Sequence, residues 1–302
     1  MSSLLSDPNE MRRPVARACR IVRFNRVVPD LHRAEAFYRD ALGFRTIPLE
    51  PMDLLTLEAV GPGRPAADAI AMRLGQETLA LVRFETPGLR YPPDSRSNDL
   101  WFQHLAVVVG DMDAAYAHLA CQSGWQPIGN GGPQQLPPSV GGVRAFKFRD
   151  PFGHPLELIW FPPGQGRPVW HESHDGALFL GIDHSALSIR STFESQTFYR
   201  SLGLRVSSRS FNHGAEQANL DGLNEARVRV TGLRPESDGG PGLELLEYQP
   251  PGRGSSGLDL NNMVTDWVTL TAGVLPDEPI RMIRDPDGHL LMSIDQSAGR
   301  PA

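Results

Sequence analysis

The sequence predicts an α+β protein assembled from four βαβββ modules, the fourth shortened, and two internal repeats and a set of breaks predict it. FYRDALGFR at 37–45 returns as FYRSLGLRV at 198–206, an offset of 161 residues. RDPFGHPLEL at 149–158 returns as RDPDGHLLMS at 284–293, an offset of 135 residues. Self-similarity at fixed spacing marks one supersecondary unit used repeatedly. Between the marks, YPPDSRSND, PPGQGRPVWHESHDG and PPGRGSSG carry the Pro, Gly and Ser that interrupt regular elements.

Residues 1–18 read as a loose leader, without sustained periodicity and with two prolines. They lack the charged start and apolar run of a secretory signal. The first module, 20–88, opens with the apolar IVRFNRVV and continues into a helix whose Phe37, Tyr38 and Leu42 share one face, with Gly43 to stop it. AIAMRLG and TLALVRF are its closing strands. The second module, 100–164, begins with WFQHLAVVV and ends with VRAFKFR, an Asp-Pro-x-Gly turn and PLELIWF. In the third, 179–252, IDHSALSI leads to the second Phe-Tyr helix, then to ARVRVTGL and GLELLEY. The fourth, 258–296, has only GVLPDEPIRM where a helix and a strand belong, so it is a degenerate copy. The first two modules form a domain over 19–165, and the last two a domain over 179–296.

Composition narrows the function. The net charge of −6 is spread along 302 residues and the arginines are scattered, which argues against a nucleic-acid partner. Two cysteines, Cys19 and Cys121, build neither a disulfide framework nor a cysteine zinc site, which fits a reducing cytoplasm. No apolar run reaches membrane-spanning length, so the expected partner is a small molecule, with no membrane.

The repeated helix and turn-strand motifs resemble the vicinal oxygen chelate superfamily, which includes glyoxalases, bleomycin-resistance proteins and extradiol dioxygenases. The resemblance implies paired modules whose sheets curl into a cupped metal site, the first strand of a module giving a His or Gln ligand and the last strand a Glu. Carried over position by position, it assigns His104 and Glu157 in the second module and His184 and Glu244 in the third. The first module has Arg23 where the repeat offset from His184 falls, and LALVRF has no carboxylate. The fourth has Asp266 or a neighbour on its first strand and Met292 in place of a carboxylate. In some four-module members the second module pairs with the third and the first with the fourth, which would gather all four ligands. Pairing within the chain and pairing across a homodimer both stay open.

Two imidazoles and two carboxylates suit one divalent ion, Zn, Mn, Fe or Ni. Such an ion would polarise a carbonyl and stabilise an enediolate. The catalytic base would be Glu157 or Glu244, a carboxylate able to leave the metal and return. The resemblance thus implies a lyase, isomerase or epimerase acting on a small hydroxycarbonyl or cyclitol-like substrate. The alternatives are an Fe(II)-dependent ring-cleaving dioxygenase and a metal-free binding protein of the drug-resistance type.

Plainer roles compete for several residues. A single histidine in a strand is usually a core residue, but Glu157 and Glu244 also lie in apolar strands, where an unpaired carboxylate is costly. By strand alternation His104 shares a face with Ala106 and Val108, and His184 with Ala186 and Ser188, which leaves room for a ligand. His154 and His289 belong to the DPxGH turns and read as structural. Trp101, Trp160 and Trp267 read as core. FNHGAEQANLDG, 211–222, lacks periodicity and either lines the pocket or connects strands. GNGGPQQLPPSVGG, 129–142, lacks the ending of a phosphate loop and suits a flap. Arg23 and Asp266 are expected to form an ion pair sealing the vacant site of the outer modules.

Overall fold

Short polar side chains begin three helices, each following the first strand of a module. Asp30 accepts a hydrogen bond from the backbone N–H of Arg33, Asp111 from those of Asp113 and Ala114, and Ser191 from that of Glu194. Each occupies an N-cap and satisfies amides that the helix leaves without partners. The computed structural model describes residues 18–50, 67–235, 240–254, 259–272 and 280–295, so the expected leader falls outside it save for residue 18. The first module comprises β1 (Ala18–Val27), α1 (Leu31–Leu42), β2 (Arg45–Ile47), β3 (Ala67–Leu74) and β4 (Glu77–Phe84). Gly43 ends α1 in the left-handed conformation, φ 71°, as the sequence requires of a glycine stop.

The second module comprises β5 (Gln103–Val109), α2 (Met112–Ala120), β6 (Gln126–Pro127), β7 (Gln134–Gln135), β8 (Arg144–Arg149) and β9 (Pro155–Trp160). The third has β10 (Phe179–Ile189), α3 (Thr192–Ser201), β11 (Leu204–His213), β12 (Arg227–Pro235) and β13 (Gly242–Tyr248), with a short helix α4 (Ala215–Asp221) inserted. In the fourth, β14 (Trp267–Ala272), β15 (Ile280–Arg284) and β16 (Leu290–Asp295) are described. Of GVLPDEPIRM, residues 280–282 enter β15 and the rest lie outside the described residues.

The strands form two sheets within one chain. The first runs β15-β16-β14-β1-β4-β3-β2, joining the fourth module to the first. The second runs β11-β12-β13-β10-β5-β9-β8-β6, with β7 also on β8, joining the third module to the second. The main core sits on the helix-bearing faces, where Phe37, Tyr38 and Leu42 of α1 meet Leu79 and Leu81, and Leu105, Val107 and Val109 of β5 meet Leu156 and Leu158. The opposite face of β5 carries His104, Ala106 and Val108, as alternation predicts.

The two motif pairs found in the sequence bind each other. The Tyr38 hydroxyl of α1 donates to Asp150 in the first DPxGH turn at 3.2 Å, and the Tyr199 hydroxyl of α3 donates to Asp285 in the second at 2.9 Å. Each aspartate also accepts the backbone N–H of the histidine four residues on. His154 Nδ1 lies 3.0 Å from Asp150 Oδ2, and His289 Nε2 bonds the carbonyl of Ser188. Both histidines are therefore parts of turn scaffolds. Among the described residues no helix is long and apolar enough to cross a membrane.

Candidate metal centre

Register brings the histidines together. In the antiparallel pairing of β10 with β5, His184 lies opposite Ala106 and His104 opposite Ala186, so the imidazoles stand diagonally, with ring centroids 5.7 Å apart. On the outer flanks, β9 runs parallel to β5 with Glu157 beside Ala106, and β13 runs parallel to β10 with Glu244 beside Ala186. His104 Nε2 is 3.3 Å from Glu157 Oε2, and His184 Nε2 is 3.8 Å from the same oxygen and 3.4 Å from Glu244 Oε2. His104, Glu157 and His184 each direct one donor atom into a cluster within 4.8 Å. Glu244 joins through its contact with His184, and its side chain is more open, at 29% exposure.

The donor set fits a cation. Both ring nitrogens of His104 and the Nε2 of His184 are buried without a hydrogen-bond partner. Buried polar atoms are seldom left so in folded proteins. Burial pushes the His104 imidazole down to about 4, with Glu157 opposing, so it is neutral at pH 7 with a free lone pair. Burial would raise the Glu157 carboxyl, but His104, Lys147 and His184 hold it at about 2. His184 behaves oppositely. Burial lowers it, yet Glu244, Asp183 and Glu157 together raise it to about 9, so the surrounding carboxylates hold a positive charge on this ring. A metal ion would supply that charge in place of the proton. Burial, then Glu157 and Asp183, push the Glu244 carboxyl above its ordinary value, against the pull of His184.

Asp183 has no counterpart in the sequence-based site. The β10–β5 ladder shifts between Ile182 and His184, so Ile182 packs in the core while His184 faces the cup. The Asp183 carboxylate lies 3.1 Å from His184 Nδ1 and accepts from Trp170 Nε1 at 3.0 Å and from Arg234 Nη2 at 3.1 Å. It thereby fixes the ring with Nε2 toward the carboxylates. Alternation alone puts residue 183 on the face opposite His184, and only the bulge brings it beside the site.

The cup opens on a cavity of about 440 Å³. FNHGAEQANLDG contributes to its lining: Asn212 lies one residue before the end of β11, and α4 carries Gln217 and Leu220 across to the second module. Asn130 N–H donates to Asn219 O at 2.8 Å, and a Cβ on Gly129 would meet that oxygen at 2.5 Å, so a glycine is needed for the approach. Leu136, Ser139, Val140 and Gly141 of the glycine-rich loop line the same cavity.

Residues 20–158 match the Glyoxalase/Bleomycin resistance protein/Dioxygenase superfamily. A 2-epi-5-epi-valiolone epimerase from an Actinomyces species is 31% identical over 143 residues, which are 45% of this chain and 76% of that protein. The chain belongs to this superfamily. Its fold is that of glyoxalase I from Zea mays: a point mutant of that enzyme aligns with TM-score 0.60 at 16% identity over 91% of this chain and 92% of that one. Another structure of the same enzyme aligns with TM-score 0.55 at 13% identity over 91% and 92%.

Within this glyoxalase-like fold the first sheet offers a direct internal comparison. Arg23 lies opposite Thr269 and Asn25 opposite Trp267, the same diagonal as His184–Ala106 and Ala186–His104. Ala80 lies beside Asn25 and Met292 beside Thr269, where the site has Glu244 and Glu157. The outer cup therefore presents Arg23, Ala80, Trp267 and Met292, and the last three belong to an apolar cluster with Val27, Val82 and Leu290. Trp267 is core, as its type predicts, whereas Trp101 and Trp160 are only partly buried. The expected Arg23–Asp266 seal is corrected: Asp266 is held by Arg26, Nε to Oδ2 at 2.8 Å, while Arg23 Nε donates to Asn25 Oδ1. With Asn25 opposite Trp267, Arg26 is the residue that comes alongside Asp266.

Proposed function

We propose that this protein is a metal-dependent epimerase acting on a small polyhydroxylated ketone, with His104, Glu157 and His184 holding one divalent ion. The observation that carries the proposal is the set of partnerless buried imidazole nitrogens facing two carboxylates at the floor of a cavity. The epimerase relative supports the reaction type and the ketone class. Zn, Mn, Fe or Ni bound there would act as a Lewis acid toward a substrate carbonyl.

Glu244 is the base. Its carboxyl is raised while that of Glu157 is held low, and it is the more open of the two. A carboxylate of raised pKa is the better acceptor for a carbon-bound proton. Glu244 takes the proton from the carbon beside the carbonyl. The C–H bond breaks and its electron pair passes toward the carbonyl oxygen. A solvent proton delivered to the opposite face of that carbon completes the inversion, and Glu244 gives up the proton it took to solvent. Asp183 keeps His184 oriented through the cycle.

The test combines metal analysis with exchange. Protein purified without an affinity metal should contain about one divalent ion per chain, and the metal-loaded protein should epimerise 2-epi-5-epi-valiolone in D2O with deuterium entering beside the carbonyl. Glu244→Gln should retain the ion and lose the exchange. Absence of exchange with each of Mn²⁺, Fe²⁺, Ni²⁺ and Zn²⁺ would overturn the proposal.

A further inference from the structure

Beyond the four sequence-predicted ligands, the cavity wall carries a buried polar chain. Lys147, on β8, pairs across the ladder with Glu157 and is 3% exposed. Its ammonium donates to Asp221 Oδ1 at 2.6 Å, its one hydrogen-bond partner among the described residues, so further N–H groups are uncommitted. The other carboxylate oxygen of Asp221 accepts from Gln217 Nε2 at 2.8 Å, and Gln217 Oε1 accepts from Asn212 Nδ2 at 3.0 Å. From the other rim, Tyr248 extends the Glu244–Leu246–Tyr248 face of β13 into the cavity. Its hydroxyl is buried on a residue 2% exposed and has no partner at full hydrogen-bond distance; the Asp221 carboxylate acts on it by charge and a weak hydrogen bond while accepting from Lys147 and Gln217.

We infer that the Lys147 ammonium and the Tyr248 hydroxyl form a second binding subsite, one that takes a hydroxyl oxygen of a neutral polyhydroxylated ring while the carbonyl end lies at the candidate metal centre. The inference rests on the proposed function for the position of the ring, but the subsite is built from different residues. Lys147 and Asp221 cancel in charge, so the wall offers donors without the excess positive charge that a phosphate or carboxylate would call on. Gln217 and Asn212 hold Asp221, and through it Lys147, in place. A buried donor without a full-strength partner costs free energy in the free protein, and a ligand oxygen removes that cost.

The same cost makes the test clean. Tyr248→Phe deletes a polar atom that makes no full-strength hydrogen bond in the free protein, so the variant should melt near the wild-type temperature. Calorimetric titration of the Mn²⁺-supplemented full-length protein with 2-epi-5-epi-valiolone should then show about tenfold weaker binding for Tyr248→Phe, with Mn²⁺ affinity unchanged. Lys147→Met should weaken binding further; because it strands Asp221 in the interior, its fold is checked separately. Wild-type affinity in Tyr248→Phe would overturn the subsite. If the wild-type protein ignores the ketone but binds myo-inositol in a Tyr248-dependent way, the subsite stands and the epimerase proposal falls. Binding of neither compound overturns both.

Discussion

Replacing Asp183 by Asn isolates the part of the site that the bulge in β10 creates. The carboxylate engages three groups at once: the Nδ1 of His184, the indole N–H of Trp170 and the guanidinium of Arg234. Asparagine keeps one acceptor oxygen and turns an NH2 group toward donors, so at least one of those contacts becomes a donor facing a donor. The ring loses the charge that fixes its tautomer, though little of its volume. Loss of a partner of this kind typically weakens metal binding by about 10–100-fold. That range corresponds to about 1.4–2.7 kcal/mol. Competition against a chromophoric chelator, with Mn²⁺ and Zn²⁺ in turn, measures it directly, and circular dichroism monitors the fold. Affinity within about twofold of wild type in a folded Asp183→Asn protein would refute the argument that Asp183 orients His184 for a metal.

Three further outcomes follow from other contacts. In metal-free protein His184 titrates near 9 against an ordinary value of 6.5, so the stabilisation is complete below pH 6.5 and fades as pH rises toward 9; the loss is about 3 kcal/mol, should appear as a falling melting temperature in chelator, and a flat profile would count against it. Arg26→Met strands Asp266 and removes donors to Tyr38 and the carbonyl of Pro155, so urea titration should show a loss of about 3–5 kcal/mol, with metal affinity of the folded protein retained. Tyr199→Phe takes one hydrogen bond from the buried Asp285 and should cost about 1 kcal/mol in the same assay, whereas no change would mean that the hydroxyl does not anchor the turn.

Much of this architecture was legible because it is repeated. The offsets linking Phe37 with Phe198 and Asp150 with Asp285 mark the modules, and the superfamily resemblance those motifs carry is what implies His104, Glu157, His184 and Glu244 as ligands. Three features escaped for physical reasons. A bulge changes strand parity at one residue, so alternation counted from His184 gives no reason to place Asp183 beside the site. The short helix α4 shows no amphipathic period over its seven residues, and its value lies in reaching another module, which no local pattern encodes. The outer ion pair was misassigned because register makes Trp267, rather than Asp266, the counterpart of His104, while bulges near Ala18 and Ile21 interrupt the β1 ladder.

The two kinds of contact between modules close the chain into a ring. Sheet pairing joins the second module to the third and the fourth to the first, whereas the Tyr38–Asp150 and Tyr199–Asp285 bonds join the first to the second and the third to the fourth. Ala18 and Asp295 both align with Ala272, from the strands on its two sides, so they stand about two strand spacings apart, roughly 10 Å. The order of modules along the polypeptide is then separable from their order in space. A circularly permuted chain, opened in the 161–178 connection and joined across that short gap, would bring His104 and His184 to the seam from opposite ends of the sequence while the β5–β10 ladder kept them face to face.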